Sequence, residues 1–144
     1  MGDELDQYLR AGKVATVAAY VGIDSAGQAH DVALRSAADP EKIEHWVVKQ
    51  QPEALIQWSR QLQRRFGGEG KILICLEQNL GFLINHLTGY ECFELYPVNA
   101  IQLRRYRETF SIGRAKDKRP DADLLCELLY YHWDRLRTLF GDWG

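Results

Sequence analysis

The chain has 144 residues, 46% of them hydrophobic and 26% charged, which describes one soluble domain able to bury a single sizeable core. No apolar run approaches the ~20 residues of a membrane-spanning helix, and the acidic, polar opening does not resemble a secretory leader. The formal charge of −2 hides an uneven distribution, because Leu103 to Arg119 holds seven basic and two acidic residues, a local +5 that leaves −7 for the remainder. An acidic body beside a basic strip suits a protein that holds cations in one place and phosphates in another.

Residues 1–13 read as a polar lead-in with some helical character, ahead of one domain over 14–140. A strand is predicted from Val14 to Asp24, its near-continuous apolar run marking it as deep in a sheet. It runs into Asp24-Ser25-Ala26-Gly27, where Asp24 either shapes a turn beside glycine or stands as a carboxylate at the edge of a core. Further antiparallel strands are predicted over His30 to Ser36 and, after a turn at Asp39-Pro40, over Glu44 to Lys49.

Pro52 opens a helix that Gly67-Gly68 closes. Lys71 to Glu77 is a second apolar strand ending on an acid, Gly81 to Thr88 a short helix, and Cys92 to Pro97 a strand parallel to the last by a right-handed crossover. A basic helix begins at Asn99. A final helix begins near Pro120 and carries Leu124, Leu125, Leu128, Leu129, Leu136, Leu139 and Phe140 at helical spacing. Cys75, Cys92 and Cys126 form no Cys-x-x-Cys pair and read as small apolar residues of a reduced, cytoplasmic protein. The four histidines have no ligand spacing.

The order β-β-β-α-β-α-β-α, with acids ending strands one and four, defines an α/β, ribonuclease-H-like (RuvC-like) fold with a mixed five-stranded sheet flanked by helices. Those two strands are neighbours in such a sheet, so Asp24 and Glu77 converge. Asp121 lies four residues before Leu125 on the stripe that packs the last helix, although an acid in a first helical turn is also ordinary.

Four segments resemble the N-terminal domain of the Piv-like DEDD insertion-sequence transposases, recombinases whose target is chosen by a bridge RNA. They are Tyr20-Val21-Gly22-Ile23-Asp24 with His30-Asp31-Val32-Ala33-Leu34; Leu76-Glu77-Gln78 with Gly81; Leu95-Tyr96-Pro97-Val98-Asn99 with Arg104-Arg105-Tyr106-Arg107-Glu108; and Gly113-Arg114-Ala115-Lys116-Asp117 with Asp121-Ala122-Asp123-Leu124-Leu125. The resemblance implies four acids holding divalent metal, Mg²⁺ or Mn²⁺, against a scissile phosphate. Asp24, Glu77 and Asp121 match three of them. The family's third acid falls where this chain has Lys118, so Asp117 is the nearest substitute, and Lys118 also fits a weakened site.

The family further implies a serine-bearing C-terminal domain absent from this chain, a homo-oligomer, and both DNA and guide RNA as partners in a bacterial or archaeal cytoplasm. Arg104, Arg105, Arg107, Arg114, Lys116, Lys118 and Arg119 are the expected contacts to nucleic-acid phosphates, with Tyr106 and Phe110 as stacking residues. The bland counterpart is a solvated helix with ion pairs such as Arg104 to Glu108. Two other classes stay open: an actin-like phosphotransferase, from the Gly-Ile-Asp-Ser-Ala-Gly turn, and a non-catalytic nucleic-acid-binding or dimerising remnant, from Lys118.

Overall fold

The computed structural model describes residues 16–110, without the Phe110 side chain, and residues 119–138. Strands β1 (Val17–Ala26), β2 (Ala29–Ser36) and β3 (Asp39–Lys49) form an antiparallel meander. Helix α1 (Pro52–Phe66) leads to β4 (Lys71–Glu77), then come α2 (Gly81–Leu87), β5 (Phe93–Val98), α3 (Ala100–Phe110), α4 (Asp121–His132) and a 3-10 turn over Trp133–Arg135. The sheet order is β3-β2-β1-β4-β5, with β4 parallel to both β1 and β5. Three antiparallel strands joined to a parallel pair in this order is the ribonuclease-H-like topology anticipated above.

Both faces of the sheet are covered, which is why β1 and β4 are apolar almost throughout. On one face Val21, Ile23, Ile72, Ile74 and Leu76 pack against Leu55, Trp58 and Leu62 of α1 and Leu83 and Leu87 of α2. On the other, Leu73, Cys75, Tyr96 and Val98 meet Leu103 and Tyr106 of α3 and the leucines of α4.

Several boundaries differ from the sequence-based expectation. The first hairpin turns at Gly27-Gln28, with Gly27 at φ +65°, so Asp24 and Ser25 are still paired inside β1. Asp24 is therefore not a turn residue. The second hairpin turns at Ala37-Ala38 rather than at Asp39-Pro40, and Pro40 is tolerated in β3 because that strand is an edge. Helix α4 ends at His132, so Leu136 packs on the core from beyond the helix; Leu139, Phe140 and residues 1–13 lie outside the described residues.

Candidate functional site

Side chains alternate across a strand, so the residues that face α4 are Tyr20, Gly22 and Asp24 on β1. Their register partners Arg35, Ala33 and Asp31 face the same way on β2. Parallel pairing of Ile23 with Leu76 brings Glu77 beside Asp24, and Glu77 in turn pairs with Val98. One cross-strand row, Asp31, Asp24, Glu77, thus carries three acids on one face.

The fourth acid comes from above. A Cβ on Gly22 would lie 2.2 Å from the carbonyl oxygen of Ala122 and 2.5 Å from the backbone nitrogen of Cys126, so the first turns of α4 rest directly on the backbone of β1. Ala33 supplies the same clearance on β2, where it clusters with Ala122 and Cys126. Cys126 Sγ donates to the Tyr20 carbonyl at 3.2 Å, and His45 Nε2 of β3 donates to Asp123 Oδ1 at 2.7 Å. These contacts hold Asp121, the first residue of α4, over the acid row two residues beyond Gly22.

The acids sense one another. Asp24 is half-buried, and desolvation followed by repulsion from Asp121, Glu77 and Asp31 raises its carboxyl above the usual range. Asp121 is held on one oxygen, Oδ1, by Arg107 Nη2 at 2.6 Å. Among the described residues no three His, Cys, Asp or Glu side chains are drawn tightly enough together to hold an ion by themselves. The donors nevertheless fit a hard divalent cation. They are carboxylate oxygens with mutual repulsion to relieve, and Mg²⁺ characteristically takes one or two carboxylates, water and substrate phosphate rather than a closed protein cage.

Behind the row, on the opposite face of the hairpin, His30 is 1% exposed and its Nδ1 shares a hydrogen bond with Ser25 Oγ, while its Nε2 has no hydrogen-bond partner among the described residues. Burial lowers the His30 pKa from its ordinary 6.5. Because the unfolded chain takes up a proton near 6.5 while the native imidazole stays neutral, stability is full above that pH and falls as the solution is acidified through it. Urea melts between pH 7.5 and 5 will show this slope in the wild type, and His30→Gln will remove its share of it.

The basic strip divides. Arg104 and Arg105 are exposed on α3, and no ion pair joins Arg104 to Glu108. Arg107 pairs with Asp121, and Arg119 Nη1 donates to Glu127 at 2.6 Å. Tyr106 is buried against the ring of His132 and so is removed from any stacking role, because its ring is already used by the core. Arg114, Lys116, Asp117 and Lys118 lie outside the described residues. Asp31 and Gly22 are parts of this acid cluster that their residue types alone did not reveal, and Arg107, expected at a nucleic-acid phosphate, pairs here with Asp121. For Gly22 the available signal was a glycine inside a strand, which marks a close backbone approach.

Fold and acid row together set carboxylates from two adjacent strands and a helix start close to one another. The model of the IS110-type DEDD transposase family, described as "Transposase", matches residues 21–142, and the chain belongs to that family. No curated protein matches it. Among solved structures, T. thermophilus RuvC in complex with Holliday junction substrate is similar at TM-score 0.49 and 15% identity, over 84% of this chain and 99% of that one, a likeness that adds nothing to the topology above.

Proposed function

We propose that this transposase domain cleaves and rejoins DNA strands with divalent metal held by Asp24, Glu77 and Asp121. The observation that carries this is the convergence of Asp24 and Glu77, from two adjacent strands, under an α4 terminus seated on Gly22, with the Asp24 carboxyl raised by its acidic neighbours. Asp31 is the acid nearest in register to Asp24, and Asp117 remains the family-implied third ligand. Bound there, the metal would supply charge neutralisation at the scissile phosphate and its leaving oxygen.

The chain's own residues do the positioning. Arg107 fixes the Asp121 carboxylate through Oδ1 and leaves Oδ2 for the site. Gly22 and Ala33 set the height of α4, and the exposed guanidiniums of Arg104 and Arg105 offer contacts to a phosphate backbone. The attacking hydroxyl belongs in this reading to a serine on a second domain, and guide RNA and homo-oligomerisation complete the assembly, as the family resemblance implies.

Calorimetric titration of Mg²⁺ or Mn²⁺ into the chain tests the metal site. Binding by the wild type that disappears in both Asp24→Ala and Glu77→Ala is the expected result. Binding that survives both substitutions would place the ion elsewhere and sink the assignment.

A further inference from the structure

Glu77 is not the last feature of the acid row. Its register partner Val98 and the next residue of the chain, Gln78, line a cavity of about 370 Å³ that also takes in Gln102 of α3 and, from the segment after α4, Arg135, Arg137 and Thr138. The lining contains two arginines and no acid. Among the described residues, neither Arg135 nor Arg137 has a side-chain hydrogen bond or ion pair with another residue. By contrast, Arg65, Arg107 and Arg119 each pair with a carboxylate.

Two arginines lining one concave surface, with no carboxylate partner among the described residues and with Gln78 and Gln102 beside them, offer a receptor for an oxyanion. Its position names the oxyanion. Gln78 follows the metal-site acid directly, and Val98 is one strand spacing from Glu77, roughly 5 Å. A group bound here is therefore a neighbour, along one polymer, of whatever group the acids hold.

We infer that this cavity is a phosphate seat, in which Arg135 and Arg137 hold a backbone phosphate flanking the one presented to Asp24 and Glu77. The inference rests on the proposed nuclease reading and adds to it the path of the strand, from the carboxylate row toward β5 and α3. The shared chemistry is a phosphodiester, which DNA and RNA both supply.

Fluorescence anisotropy with a labelled single-stranded DNA and an RNA of the same sequence tests it on the full chain. The double variant Arg135→Gln/Arg137→Gln is compared with Arg60→Gln/Arg64→Gln, which removes the same charge from the exposed side of α1 on the opposite face of the sheet. The expected outcome is that the first pair weakens binding by about tenfold and lowers the salt slope by about 0.7, while the second changes binding by less than about twofold. Equal losses in the two variants, or no wild-type binding to either strand, would overturn the seat. Loss confined to DNA, or confined to RNA, supports the seat and identifies the strand it holds.

Calorimetry on the same variants separates this inference from the metal assignment. Mg²⁺ binding should be unchanged in Arg135→Gln/Arg137→Gln. A wild type that binds the oligonucleotide through these arginines but takes up no metal would refute the nuclease reading and leave the seat standing.

Discussion

Gly22→Ala should be the most damaging single methyl group that can be added to this protein. The two atoms nearest the new Cβ are backbone, with the Leu125 Cβ next at 3.0 Å, so no flexible side chain can swing aside. The new Cβ meets the backbone of Ala122 and Cys126 at 2.2 and 2.5 Å, so the whole of α4 must lift. Overpacking against rigid backbone costs about 3 kcal/mol, which for a chain of this size lowers Tm by roughly 10 °C. The control is Gly68→Ala, where the added methyl finds nothing within 4 Å. Lifting α4 also carries Asp121 away from Asp24, so any Gly22→Ala protein that still folds should bind Mg²⁺ or Mn²⁺ more weakly. A variant with wild-type Tm and wild-type metal affinity would show that α4 does not rest on β1 as described.

Asp24→Asn should do the reverse to stability while abolishing function. The Asp24 carboxyl is raised above its ordinary value by burial and by Asp121, Glu77 and Asp31, so the native state binds its proton more readily than the unfolded chain does. That sign means the ionised group costs stability at neutral pH, and the cost is relieved as pH falls toward the ordinary carboxylate range. Replacing the charge with an amide removes the repulsion at all pH values. Because the group is partly solvated, the gain is modest, about 0.5 to 1 kcal/mol or roughly 2–3 °C in Tm. On the proposed reading, divalent metal should instead stabilise the wild type by about 1.4 kcal/mol at tenfold excess over Kd and leave Asp24→Asn unmoved. Melting curves of both proteins with and without Mn²⁺ read all four values. An Asp24→Asn protein that is less stable than wild type would mean that the carboxylate is satisfied by partners and is not held in reserve for a cation.

These two predictions concern adjacent positions on one face of one strand, and they show how a transposase domain divides its interests. Gly22 serves packing and the site together, since the contact that seats α4 is also the one that brings Asp121 over the sheet. Asp24 costs stability where it stands, because burial and three acidic neighbours oppose its charge. A row of three acids is tolerated because it lies at the end of the strands, where Asp31 is exposed and Asp24 and Glu77 retain contact with water.

Much of this was legible along the chain. The apolar runs of β1 and β4 mark strands covered on both faces, and each carries an acid of the row near its end, because the end of a buried strand is where a carboxylate can first reach solvent. Pro52 at the start of α1 and the leucine spacing in α4 likewise come from local rules of helix geometry. The family likeness in its four segments follows from the same residues.

Other features needed the folded molecule. That Asp24 belongs to a strand and not to the turn depends on hairpin register, which Gly27 sets by adopting a positive φ three residues later. Asp31 becomes a neighbour of Asp24 only through that register. Arg107 reaches Asp121 across 14 residues, and Arg135 and Arg137 reach Gln78 from the far end of the described chain. The sequence by itself determined which residues are apolar, which are charged and with what period they recur, and hence the elements and the acids at their ends. The tertiary structure decided which charges are paired and which remain open, because pairing is a matter of distance between elements that no local pattern encodes.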